Sequence, residues 1–230
     1  PEQAHAMVRA SGCTTAKVKV AEAGQTLADD VARVEAVRDA LGPAGKVRVD
    51  ANAAWSVDEA VVALRALDAF DLEYAEQPVA TLDDMALLRR RIDVPLAADE
   101  SVRRAEDPLR IAGLGAADIV VLKVQPIGGV RRCLEVAARS GLPVVVSSAV
   151  ETSVGIAAGV ALAAALPELP YACGLGTVSL LAADVTAEPL LPVGGFLPVR
   201  RVAPDPDLVN AADEVKTHWL ARMQAAADAA

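Results

Sequence analysis

Thr14 to Ala21 reads TTAKVKVA, two lysines alternating with apolar residues just after a glycine. In a strand successive side chains point to opposite faces, so Lys17 and Lys19 share one face while Val18 and Val20 take the other. Two ammonium groups on the inner face of a buried strand are expensive unless anions lie at the same depth. The rest of the chain supplies those anions. Asp50, Glu76 and Asp99 each stand at the end of a short apolar run, in KVRVDAN, LEYAEQP and PLAADES.

Helical and strand patterns alternate around these runs. Thr26 to Pro43 places Leu27, Val31, Val34, Val37 and Leu41 on one stripe, opens on an N-cap-competent Thr26 and stops at Gly42-Pro43. Ser56 and Glu59 have capping-box spacing at the head of a helix running to Phe70, and Thr81 with Asp84 opens another that runs to Arg91. DIVVLKV, PVVVSS and YACGLG add further strands, and a last helix is predicted from Asp207 onward. The strand ends Lys19, Asp50, Glu76, Asp99, Lys123 and Ser147 follow one another at intervals of 31, 26, 23, 24 and 24 residues.

Such a βα repeat predicts parallel strands. Seven strands, counting the one ending near Gly174, is one short of a closed (β/α)₈ barrel, and Pro1 to Ser11 reads as the helix after an absent first strand. A doubly wound sheet is the alternative, but it would ordinarily bring a phosphate loop, and no GxGxxG or GxxxxGK[ST] is present. Gly128-Gly129 reads as a turn before a helix. Residues 1–184 are assigned to the barrel, and residues 185–230, Pro/Gly-rich at first, to a tail that leaves it.

Composition narrows the partners. The 230 residues are 53% apolar and 23% charged, with a net charge of −9, which argues against a nucleic-acid partner. Aromatic residues make up 3%, too few for base-stacking platforms. The longest charge-free apolar run, Val154 to Leu166, is short of the roughly 20 residues that span a bilayer, so no membrane association is expected. Cys13, Cys133 and Cys173 show no CxxC spacing, which favours buried thiols in a reducing cytoplasm. The chain opens without Met, on a polar stretch that is neither signal nor transit peptide, and reads as trimmed.

In a barrel, strand ends converge on one face, where active sites sit. Each acid alone has a plain structural reading: Asp50 in a turn, Glu76 before a proline, Asp99 as an N-cap. The same position recurring on three successive units is harder to explain as caps. Three convergent carboxylates repel one another unless they share a cation, and an all-oxygen set suits Mg²⁺ or Mn²⁺. Lys123 ends the next strand; alone it fits a Schiff-base lysine or a snorkelling residue equally. With Lys19 it flanks the three acid-bearing strands, an arrangement that fits proton transfer α to a carboxylate.

KVKV, VDAN, EQP, DES and LK, in this order, resemble the enolase superfamily and its muconate-lactonizing-enzyme-like subgroup. The resemblance covers Pro1 to about Asp184. Ser147 to Pro167 followed by ACGLGT (Ala172 to Thr177) is most similar to the o-succinylbenzoate synthase group. The resemblance implies a TIM-type (β/α)₇β barrel and a small-molecule carboxylate substrate. It makes Lys19 the general base, Lys17 an electrostatic helper and Lys123 a stabiliser of an enediolate from the opposite side. Asp50, Glu76 and Asp99 become the metal ligands, with Asn52 facing substrate and Glu100 beside the ligands. Ser147, Ser148, Gly174 and Leu175 would meet a succinyl arm. The family's N-terminal capping domain and first barrel strand have no counterpart here, so both are expected in a longer protein or on a separate chain. N-acylamino acid racemization uses the same lysines and is the near alternative. Dipeptide epimerization is disfavoured, because CGLGT stands where that group places an acidic pair. A non-catalytic binding barrel is the alternative of another class, and the intact lysine and carboxylate set argues against it.

Overall fold

The computed structural model describes residues 1–104, 109–209 and 211–228. Helix α1 (Glu2–Ser11) precedes β1 (Thr15–Lys19), α2 (Leu27–Leu41), β2 (Lys46–Asp50), α3 (Val57–Leu67) and β3 (Leu72–Glu76). Next come α4 (Leu82–Arg89), β4 (Leu96–Ala98), α5 (Glu100–Arg104), α6 (Leu109–Gly113) and β5 (Ile119–Lys123). Helices α7 (Val124–Ile127) and α8 (Val130–Ser140), strand β6 (Val144–Ser147), and helices α9 (Ser153–Ala165) and α10 (Asp213–Asp228) complete the order.

The helix starts follow local chemistry. Thr26 with Asp29, and Ser56 with Glu59, form reciprocal capping boxes, and Thr81 Oγ1 accepts from the Asp84 amide. Gly128 and Gly129, with φ of 99° and 118°, make the turn that leads into α8.

The strands are all parallel and pair in the order β1-β2-β3-β4-β5-β6. The order has no reversal, hence no topological switch point, and this excludes the doubly wound alternative. Uniform right-handed crossovers then put the helices on one face, as in a barrel wall. The side-chain pattern agrees. Val18, Val49, Ala75, Ala98, Val120, Leu122 and Val146 point outward into the large core beneath the helices. Tyr74, Ala97, Ile119, Val121 and Val145 form a separate cluster on the inner face.

Two expectations are corrected. The predicted seventh strand is reduced to one bridge, Ser147 to Gly174, so the sheet has six strands among the described residues. Gly174 donates to the Val146 carbonyl and accepts from the Ser148 amide, after which the chain turns at Gly176 into a 3-10 helix. A side chain at Gly174 would come 2.8 Å from Ser147 Oγ, so the two segments approach closely here. The last helix begins at Asp213 rather than near Asp207, which lies in a turn where its amide donates to Asp205 Oδ1. The expected tail ends on residues 229–230, outside the described residues. A cavity of about 580 Å³ lies between β1 and the Gly174 segment, lined by Thr15, Lys17, Arg48, Tyr171, Leu175 and Phe196 among others.

Candidate active site

Parallel register places the charged side chains in one layer. Lys19 pairs with Asp50 and Asp50 with Glu76, while Lys123 pairs with Ser147 across the next gap. Asp99 immediately follows β4. Below this layer Arg48, the register partner of Lys17, stacks over Tyr74 at 4.7 Å and donates to Glu73 and to the Ala172 carbonyl. Its Nη2 is buried with no hydrogen-bond partner among the described residues.

Each carboxylate carries a cation. Lys17 Nζ donates to Asp50 at 2.9 Å and to Glu76 at 2.6 Å, and Lys19 Nζ donates to Asp50 at 2.5 Å and to Asn52 Oδ1 at 2.6 Å. Lys123 Nζ donates to Asp99 Oδ2 at 2.5 Å. Arg103, one helical turn beyond Asp99, grips the same carboxylate through two nitrogens. Asn52 Nδ2 donates to Glu100 Oε1, which Arg103 also touches, while Glu100 Oε2 is buried with no hydrogen-bond partner among the described residues.

Burial and charge act against each other here. Asp50, Glu76 and Asp99 are all at most 1% exposed. Burial alone would raise the Asp50 carboxyl, but Lys17 and Lys19 outweigh it and hold the group below the ordinary range. Glu76 goes the other way: burial pushes it up, and repulsion from Asp50 and Asp99 adds to this against the pull of Lys17. Burial opposes the charge on Lys17, yet Glu76 and Asp50 prevail and keep its ammonium more firmly protonated than usual. The loops that carry these groups are strained. Ala21, Asn52, Ala53 and Gln77 all have positive φ, at the ends of β1, β2 and β3.

The donor chemistry suits a hard divalent cation, with three buried carboxylates on consecutive units and mutual repulsion at Glu76. As they stand, the carboxylates are turned toward ammonium and guanidinium groups, and among the described residues no three acidic, His or Cys side chains form a ready cage. Loading would therefore exchange some of these ion pairs for the cation.

The other expected contacts lie at the β6 end. Ser148 Oγ donates to the Gly174 carbonyl at 2.8 Å and lies 3.1 Å from Thr177 Oγ1, while Ser147 Oγ reaches the same carbonyl at 3.5 Å. Leu175 is buried in the outer core, close to Gly159. Arg103 and Gln77 are the residues that sequence reasoning missed. The Asp99–Arg103 pair had a signal in its i,i+4 spacing. Gln77 had none beyond its place between Glu76 and Pro78.

The family described as enolase C-terminal domain-like matches residues 1–204. The chain belongs to this family. Within it, the chain is 66% identical over 226 residues to the o-succinylbenzoate synthase of Thermobifida fusca (strain YX), covering 98% of this chain and 71% of that protein. The o-succinylbenzoate synthase of Mycolicibacterium smegmatis (strain ATCC 700084 / mc(2)155) is 58% identical over 216 residues, covering 93% and 66%. Solved structures of the family superpose as well. Muconate cycloisomerase from Pseudomonas fluorescens gives a TM-score of 0.77 at 29% identity, over 95% of this chain and 60% of that one. Dipeptide epimerase from Enterococcus faecalis V583, complexed with Mg and the dipeptide L-Leu-L-Tyr, gives 0.75 at 28% identity, over 88% and 58%. The expected superfamily, its muconate-lactonizing side and the barrel class are thereby met, and the relatives so matched are enzymes, as expected. The chain spans roughly two thirds of the length of these curated relatives.

Proposed function

We propose that this chain is the barrel part of an o-succinylbenzoate synthase, which dehydrates 2-succinyl-6-hydroxy-2,4-cyclohexadiene-1-carboxylate to o-succinylbenzoate in menaquinone biosynthesis. The observation that carries the reading is the run of buried carboxylates at Asp50, Glu76 and Asp99 with Lys19 at one end and Lys123 at the other. The relatives named o-succinylbenzoate synthase support the choice of reaction.

In this reading Lys19, as the free amine, takes the proton α to the substrate carboxylate. The C–H electron pair moves first into the substrate carboxylate, giving an enediolate, and then returns to form the new ring double bond as the C–O bond breaks. Lys19 then returns its proton to the departing hydroxyl on the same face, giving water, so one nitrogen serves as base and then as acid. Asp50 and Asn52 fix the direction of Lys19 Nζ. Lys17 offsets the negative charge of Asp50 and Glu76. Lys123, anchored on Asp99, faces the developing charge from the other side. Asp50, Glu76 and Asp99 would hold Mg²⁺ or Mn²⁺, which when bound supplies positive charge for the substrate carboxylate as the α-proton leaves.

N-succinylamino acid racemization is kept as the second reading because a lysine stands at each end of the carboxylate run. The full-length protein is expected to add the capping domain. With that protein and Mg²⁺, aromatic product is followed from the cyclohexadiene substrate, alongside α-proton exchange of an N-succinylamino acid in D₂O. Aromatic product is the expected result. Exchange without aromatic product would replace the synthase reading with the racemase one.

A further inference from the structure

Gln77 is wholly buried between the loops that carry the three carboxylates, and it is joined to all of them. Its backbone carbonyl accepts from the Ala53 amide at 2.7 Å, in the loop beyond Asp50. Its own amide donates to the Ala97 carbonyl at 2.8 Å, two residues before Asp99. Its side-chain oxygen accepts from the amides of Asp99 at 3.0 Å and Ser101 at 3.1 Å. Its side-chain nitrogen donates to the Val79 carbonyl at 2.9 Å and to Ser101 Oγ at 2.8 Å. A carboxamide has two acceptor and two donor positions, and all four are filled. The partners also fix which way the amide faces, since two N–H groups meet one end and a carbonyl meets the other.

The backbone at this residue is strained, with φ of 36° where side-chain-bearing residues are uncommon. A left-handed residue held by a saturated network is over-determined by its surroundings, a condition that accompanies functional sites. The side chain does not touch the carboxylates. It holds the backbone on which Asp99 sits, while its own main chain directly follows Glu76.

We infer that Gln77 is a positioning residue that sets the spacing of Asp50, Glu76 and Asp99 for a divalent cation. The inference rests on the reading of those three carboxylates as a cation site. Partners of this kind, outside the ligands themselves, typically change metal affinity by about 10–100-fold when removed. Ser101 shares the device, because its amide and hydroxyl both engage the Gln77 carboxamide.

The test is a Mn²⁺ titration followed by the electron paramagnetic resonance signal of free ion, on the wild-type chain, Gln77→Met, Ser101→Ala and the double variant. Urea unfolding of each reports the folded fraction. Gln77→Met is expected to weaken Mn²⁺ binding about tenfold per folded molecule, Ser101→Ala less, and the double variant no more than Gln77→Met alone. Unchanged affinity in a folded Gln77→Met protein overturns the inference, as does a double variant whose losses multiply. Should Gln77→Met not fold, Ser101→Ala decides, and unchanged affinity there overturns it. A wild-type chain that binds no Mn²⁺ removes the cation reading as well, whereas wild-type binding with unaffected variants removes the role of Gln77 alone.

Discussion

Lys17 Nζ and Glu76 Oε1 meet at 2.6 Å although 59 positions separate the residues in sequence. Strands β1 and β3 are not neighbours, so the lysine reaches across β2, where it also holds Asp50. One ammonium is thus shared by two buried carboxylates. Asp50, which has Lys19 as a second partner, stays ionised easily, and Glu76 carries the cost of the crowding.

That inequality predicts a pH dependence of stability. Glu76 is raised from 4.5 to about 7, chiefly by burial, so between those values the folded chain binds more protons than the unfolded chain. Stability is therefore expected to fall as pH rises through this window, by roughly 1–3 kcal/mol in the absence of divalent cations. Asp50 contributes in the opposite sense, but only below about 3.8, outside the window. Urea midpoints in EDTA between pH 5 and 8 measure the slope. Glu76→Gln should flatten it, and an unchanged slope in that variant would assign the effect elsewhere. Added Mg²⁺ should also flatten it, by offsetting the charge above pH 7.

The two lysines of β1 should separate by phenotype. Lys19 has a half-exposed side chain, and Asp50 keeps Lys17 when it is lost. Lys19→Ala should leave stability within about 1 kcal/mol while lowering dehydration in the full-length protein by about 10²–10⁴-fold. Lys17 is less exposed and serves two buried carboxylates, so Lys17→Ala should cost about 2–4 kcal/mol. Turnover and urea unfolding of both variants check this. Full dehydration by Lys19→Ala would show that another group is the base.

The tail is tied to α9 by Asp184. Its carboxylate accepts from the Ser153 amide at 3.0 Å and from the Ser153 hydroxyl, and Ser153 Oγ accepts from the Leu190 amide at 2.6 Å. Thr152 at the N-cap offers no side-chain bond, so the capping carboxylate comes from Asp184, 31 residues beyond Ser153. Asp184→Ala is expected to cost about 1–2 kcal/mol and to speed limited proteolysis between residues 185 and 205. Mass spectrometry of the fragments would locate the cuts. Cleavage unchanged from the parent chain would show that other contacts hold the tail.

Cysteine reactivity should be graded. Cys133 is inaccessible, and burial pushes its thiol up to about 11. Cys13 is partly exposed. At pH 8 a maleimide should label Cys13 first and Cys133 only on unfolding, which peptide mapping after timed quenching would show. Early labelling of Cys133 would mean that α8 opens readily.

Much of the molecule was legible because its signals are local. Capping boxes at Thr26 and Ser56 depend on residues three apart, and strand alternation depends on residues two apart, so both appear in the one-dimensional pattern. The charged layer at Lys19, Asp50, Glu76, Asp99 and Lys123 was legible for a further reason. A parallel βα repeat returns the chain to the same depth at each turn, so equal positions along the sequence become neighbours in space.

The repeat, the inward face and the set of charges on it therefore follow from the order of residues. Tertiary structure alone decided how those charges are shared. Lys17 serves Glu76 as well as Asp50 only because strands two apart curve toward each other. Arg48 reaches the Ala172 carbonyl across 124 residues, and Gln77 links the loops after β2, β3 and β4. The run YACGLG had strand composition but forms only one bridge, since a strand needs a partner along its length and the Gly174 segment meets β6 at a single point. Pairings of this kind depend on distances between segments remote in the chain, which periodicity and composition do not encode.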